Sequence, residues 1–241
     1  MKINDKEHPV GIIGAMDEEV CMFRSLMSSP TETVIGRHTF LCGSICGVPV
    51  VISRAGVGKV NAAICATLMA ERFSPSFIIN TGVAGALADD LVPGDAVIGV
   101  SAVEYDLDYG GLGDPRGAVF YPDGTSETLM PTDPDLADAL LRAASACGLH
   151  SRLGAVASGD RFVNDPAVKK MILDAFPDSA VCEMEGAAIV HACRMRNIRC
   201  GVLRTVSDKA DGSADVDFPS FMKASSENAA RVICRFLDDN R

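Results

Sequence analysis

The sequence predicts an α/β fold: a three-layer αβα sandwich around a mostly parallel, mixed and twisted sheet. Three observations carry this expectation. Short apolar runs alternate with helical periods along the 241 residues. The runs are apolar at nearly every position rather than at every second one, the pattern of strands buried on both faces. A sheet of such strands needs helices over both faces.

The elements follow in order. Residues 10–13 form a first buried strand, ended by Gly14. Val20, Phe23 and Leu26 with Met27 then recur at helical spacing. Asp17, Glu18 and Glu19 crowd the first turn, where carboxylates complement the helix dipole, so a strand–turn–helix junction falls on GAMDEEV. Two β-rich pieces, 38–46 and 48–53, meet at a Gly47 turn. Gly56-Val57-Gly58 leads into an Ala-rich helix over 59–73. Residues 78–80 form a buried strand that runs into Thr81-Gly82-Val83-Ala84-Gly85. After a strand at 96–103 comes an irregular Gly- and Pro-containing stretch, 105–134. Connections of that length are usually lids, binding loops or interface segments. A helix (135–147), strand (153–158), helix (166–176), strand (180–182), helix (184–196), strand (200–206) and closing helix (218–237) complete the order. No repeat, low-complexity tract or linker divides the chain. Residues 10–241 therefore read as a single domain, preceded by a polar extension, 1–9.

Composition narrows the partners. Hydrophobic residues make up 48% and charged residues 22%, which excludes disorder and fits a globular chain. The net charge is −10 and there is no Trp. Such a surface repels nucleic-acid backbones and anionic lipid and offers little base stacking, which leaves small molecules as ligands. No stretch free of charged residues reaches the ~18 residues of a membrane span, and the leading residues MKINDKEHPV do not read as a signal peptide. The nine cysteines are odd in number and lack CxxC or zinc spacing, so they read as free thiols in a reducing, cytoplasmic compartment. His8, His38, His150 and His191 are scattered, with no metal-binding pattern.

In folds of this class ligands gather at the carboxyl ends of strands. Those ends carry Gly14-Ala15-Met16 with the carboxylates to Glu19, Arg54 to Gly58, Thr81 to Gly85, Ser158 to Phe162, Glu183-Met184-Glu185, and Arg204 to Asp208. Gly56-Val57-Gly58-Lys59-Val60 lacks the first Gly and the Ser/Thr of a phosphate loop, and neither GxGxxG nor GxSxG occurs. Carboxylate chemistry without metal or cofactor remains.

Seven segments, GIIGAMDEEV, AGVGKVNAA, INTGVAGAL, VPGDAVI, SGDRFV, CEMEGAAIVHAC and LRTVSD, occur in this order. Together they resemble the 5′-methylthioadenosine/S-adenosylhomocysteine nucleosidases of the nucleoside phosphorylase superfamily, from about Val10 to Leu237. The resemblance implies a nucleoside phosphorylase/hydrolase-like fold, a homodimer, a place in methionine salvage, and hydrolysis of an adenine–ribose bond without cofactor. It implies that Asp208 is the general acid at adenine N7, which must carry a proton and so calls for burial or a neighbouring charge. Glu19 activates the water, Glu185 bonds the ribose hydroxyls, and Arg204 orients Glu19 and the water. Phe162 stacks on adenine, the Val163 backbone reads its edge, and Met184 packs under the ribose. Met16 and Val57 line the 5′-alkylthio pocket. Val83, Gly85, Glu183 and Ser207 lie in the matched segments and complete the substrate-binding set.

This chain departs from the family pattern twice. Val83 stands where many relatives have Ser, so a hydrogen bond to the water must come from elsewhere, such as the Thr81 hydroxyl or a backbone group. The 105–131 stretch differs from the usual aromatic-rich segment that shapes the 5′ pocket with a neighbouring subunit. Two other functions compete with hydrolysis. One is phosphorolysis, disfavoured because Asp17, Glu18 and Glu19 stand where phosphorylases place a basic residue. The other is nucleoside binding without catalysis, which the retention of Glu19, Glu185 and Asp208 opposes.

Overall fold

The computed structural model describes residues 2–3, 8–211 and 218–241. The strands are β1 (Val10–Gly14), β2 (Ser28–Ile35), β3 (His38–Ile45), β4 (Val48–Arg54), β5 (Phe77–Ala86), β6 (Ala96–Glu104), β7 (Val119–Phe120), β8 (Ser126–Glu127), β9 (Met130–Pro131), β10 (Ser151–Ser158), β11 (Ser179–Glu183) and β12 (Cys200–Asp208). The helices are α1 (Asp17–Leu26), α2 (Lys59–Phe73), α3 (Pro134–Ala146), α4 (Pro166–Ala175), α5 (Gly186–Met195) and α6 (Phe218–Asn240).

One mixed sheet runs β11-β10-β6-β12-β5-β1-β4-β3-β2. Strand β1 lies parallel between β4 and β5, and all five of its residues are buried, which is why it reads as an unbroken apolar run. Two apolar layers flank the sheet. Side chains of α1, α3 and α6, among them Phe23, Leu140 and Phe236, fill one. Side chains of α2 and α5, among them Met69 and Ile189, fill the other. The three-layer arrangement matches the expectation from sequence.

The sheet does more than twist. Beyond its parallel pairing with β12, the end of β5 also pairs antiparallel with β11, Gly85 opposite Cys182 and Ala86 opposite Val181. Strands β5, β12, β6, β10 and β11 thus close into a ring. Closure brings the ends of β5, β11 and β12 together and fixes where ligands can enter. A register shift between Val206 and Asp208 leaves Ser207 as an extra residue on β12, the kind of bulge that re-aims side chains beside sites.

Three differences from the sequence reading have physical causes. Strand β2 was not expected: it is mostly exposed, polar and an edge strand that among the described residues pairs only with β3, so no buried alternation marks it. Strand β5 continues through Ala86, past residue 80 where the sequence reading ended it, because β12 pairs with it as far as Gly85 and β11 pairs with Gly85 and Ala86. Helix α5 starts at Gly186, two residues later than expected, because Glu183 caps it. The irregular stretch after β6 contains a short 3₁₀ turn at Gly110–Leu112 and the strands β7, β8 and β9. No helix among the described residues is long and apolar enough to cross a membrane.

Candidate active site

A cavity of about 190 Å³ opens where β5, β11 and β12 converge. Of the residues expected at the site, Met16, Glu19, Val57, Val83, Gly85, Phe162, Val163, Glu183, Met184, Glu185, Ser207 and Asp208 all line it. Arg204 does not; it lies behind the wall. Residues from six separate chain segments therefore converge, and the acidic trio Glu19, Glu185 and Asp208 shares one space.

Glu19 is held by the local geometry of α1. It is the third helical residue, and its Oε2 accepts from the Ala15 and Met16 N–H groups at 2.6 and 3.1 Å, which ties off the helix N-terminus. Its Oε1 reaches across to the Val83 N–H at 3.1 Å. The carboxylate is thus a cap and a wall of the cavity at once. Burial pushes its pKa up from the ordinary range, opposed by the Arg204 charge and the three amides. The Val83 backbone holds Glu19 itself, a contact that needs no Ser at this position. Thr81 Oγ1 is buried without a hydrogen-bond partner, and Thr81 is not among the residues lining the cavity.

Arg204 is buried behind the cavity wall. Its Nη2 donates to Asn80 Oδ1 at 2.5 Å and forms an ion pair with Glu183; no hydrogen bond to Glu19 is formed. It acts on Glu19 through charge. Gly82 makes this approach possible, because a Cβ there would collide with Arg204 Nη1 and with Glu19 Oε1.

Glu183 and Glu185 divide two tasks that the sequence could not separate. Glu183 lines the cavity, but its oxygens are taken by the N–H groups of Glu185 and Gly186, by Ser158 Oγ and by Arg204. It is the helix cap. That frees Glu185, whose Oε1 accepts from the Gly58 N–H at 2.8 Å. Gly58 sits at φ 95°, a conformation that favours glycine, and this points its amide away from α2 toward Glu185.

Burial, with Glu183 beside it, pushes Glu185 up to about 7. A carboxyl whose folded pKa is raised contributes stability below its unfolded value, and that contribution is lost as pH rises through the folded value. The ligand-free protein is therefore expected to lose thermal stability between about pH 5 and pH 8. Glu185→Gln should flatten that slope in a melting series; an unchanged slope would contradict the assignment.

Asp208 ends β12. It is 6% exposed. Its Oδ2 accepts from Ser207 Oγ at 2.7 Å and its Oδ1 from the Ala210 N–H at 2.8 Å. Ser207 thus positions the acid. Gly85 leaves room for it, since a Cβ at that position would lie 2.9 Å from Asp208 Oδ1. Phe162 is half exposed at the cavity mouth, while Val163 beside it is buried.

The lining carries four carboxylates, Glu19, Glu183, Glu185 and Asp208, against one guanidinium, Arg161. Arg161 is more than half exposed and pairs with Asp165 at 3.8 Å. No group of three or more His, Cys, Asp or Glu residues among those described could hold a metal ion.

The model of the phosphorylase superfamily matches residues 9–238. A 5′-methylthioadenosine/S-adenosylhomocysteine nucleosidase from Shewanella sediminis is 37% identical over 235 residues, covering 95% of this chain and 98% of the relative. The crystal structure of such a nucleosidase from Neisseria meningitidis, in complex with methylthio-immucillin-A, superposes with a TM-score of 0.91 at 33% identity, covering 96% of this chain and 99% of that one. A futalosine hydrolase mutant of Helicobacter pylori superposes with a TM-score of 0.89 at 27% identity, covering 96% and 99%.

Proposed function

The chain belongs to the phosphorylase superfamily and, within it, to the 5′-methylthioadenosine/S-adenosylhomocysteine nucleosidases, and from that premise we propose how its residues carry the reaction. The protein is an N-glycosyl hydrolase that cleaves 5′-methylthioadenosine and S-adenosylhomocysteine to adenine and the 5′-alkylthio ribose.

Adenine leaves poorly as an anion, so it takes a proton at N7 as the bond to C1′ breaks, and Asp208 gives that proton. The sugar passes through an oxocarbenium-like state, whose positive charge the carboxylates of the cavity stabilise. Glu19 accepts a proton from the water that attacks C1′, and the burial that raises its pKa makes it a stronger base than an exposed carboxylate. Glu185 accepts from the ribose hydroxyls. Protons then return through solvent: Glu19 loses one and Asp208 regains one.

The observation that carries this reading is the charge of the cavity. At about 4 Å and an effective dielectric near 20, one carboxylate repels each unit of anionic charge by about 4 kcal/mol. With Asp208 holding the proton it donates and Glu183 paired with Arg204, Glu19 and Glu185 are the carboxylates that make the cavity hostile to phosphate and favourable to an oxocarbenium and neutral water. The test is release of free adenine from both nucleosides. Turnover of each supports the reading, and release from neither overturns it.

We further infer a cytoplasmic homodimer acting in methionine salvage. Leu112 and Phe120 in the stretch after β6 are exposed apolar side chains, and the Tyr109 and Phe120 rings pack 5.8 Å apart. They form an apolar surface suited to a second copy that would complete the 5′ pocket.

A further inference from the structure

Met16 and Val57 line a second space as well as the cavity: an open groove of about 360 Å³. In the reading above, adenine lies at Asp208 and the ribose at Glu185. The 5′ substituent is the part left to pass Met16 and Val57, and it emerges into this groove. The groove walls are charged with both signs, Asp17 and Glu18 against Arg37 and Arg54. A further depression of about 280 Å³ shares Asp17, Arg37 and Arg54.

Asp17 follows Met16 directly in the chain, and Arg54 lies opposite Gly14 in the β1–β4 register and forms an ion pair with Asp17. Both partners are more than half exposed, so the pair holds itself together weakly and opens at little cost. Arg37 forms no ion pair among the described residues.

We propose that this groove is a subsite for a zwitterionic α-amino acid end on the 5′ substituent, as in S-adenosylhomocysteine. Arg54 and Arg37 receive the α-carboxylate, and Asp17 receives the α-ammonium. A guanidinium grips a carboxylate through paired N–H donors, and a zwitterion inserted into the Arg54–Asp17 pair replaces each charge's partner with another of the same sign. A methylthio group ends at the apolar Met16–Val57 section and does not reach these charges. The subsite therefore raises affinity for the longer substrate alone. This rests on the reading that both nucleosides are substrates.

The experiment compares kcat/KM for three nucleosides in the unaltered protein, Arg54→Ala and Asp17→Ala. They are S-adenosylhomocysteine, 5′-methylthioadenosine and 5′-(3-aminopropylthio)adenosine, which keeps the ammonium and lacks the carboxylate. Arg54→Ala should lower the S-adenosylhomocysteine constant about tenfold or more through KM, the size of a lost charge-assisted hydrogen bond. Its constants for the other two nucleosides should stay within about threefold. Asp17→Ala should lower both amino-bearing substrates relative to 5′-methylthioadenosine, whose turnover also reports an intact fold. Equal losses on all three substrates, or no loss on S-adenosylhomocysteine, would overturn the subsite. Failure of the unaltered protein to release adenine from any of the three would instead overturn the substrate reading, and the subsite with it.

Discussion

Asp208→Asn is expected to lose about 10³-fold or more in kcat on 5′-methylthioadenosine while still binding it, because general acid catalysis commonly contributes 10²–10⁴-fold. The substitution is close to isosteric. The Asn oxygen can accept from the Ala210 N–H as Asp208 Oδ1 does, and the Ser207 hydroxyl can turn to accept from the amide nitrogen. The side chain stays in place, but its NH₂ cannot transfer a proton to N7. The loss should therefore fall on kcat, with nucleoside affinity in equilibrium binding changed by less than about tenfold and the melting temperature nearly unchanged. Turnover near the unaltered rate would remove Asp208 as the acid.

Glu19→Gln should lose about 10²–10⁴-fold in kcat, with a different signature. The Glu19 oxygens accept from three N–H groups, those of Ala15, Met16 and Val83. A Gln side chain has one oxygen, so at least one of these amides loses its acceptor, at about 1–3 kcal/mol. Glu19→Gln should therefore melt earlier at acidic pH, whereas Asp208→Asn should not. Removing the Glu19 charge also relieves one of the influences that raise Glu185, so the pH at which stability declines should move downward. Near-normal hydrolysis in this variant would point to another base.

Much of this was legible in the sequence, and what was not has identifiable causes. The central strands are buried on both faces, so β1 and β12 announce themselves as apolar runs, and the polar residues at their ends mark the site. The edge strand β2 carries no such signal. Sequence order alone did not reveal the pairing of β5 with β11, because ring closure depends on how far the sheet curls. Pairing with β12 and that closure carry β5 on through Ala86.

At the site, the acidic trio was found through matched segments, but the division of labour within it is three-dimensional. Glu183 and Glu185 are two residues apart and chemically alike. Only the fold shows that Glu183 caps α5 and holds Arg204, leaving Glu185 to reach Gly58. Arg204 was expected to orient Glu19 and the water, and its place behind Gly82 follows from register between β5 and β12. The Arg54–Asp17 pair joins residues 37 positions apart, and no periodicity connects them.

The most direct test of the account is the dependence of adenine release on phosphate, with the sugar product identified by mass. An acidic cavity that uses water predicts an undiminished rate from 5′-methylthioadenosine in phosphate-free buffer and an unphosphorylated methylthioribose. A rate that needs added phosphate, with a sugar 1-phosphate as product, would contradict it.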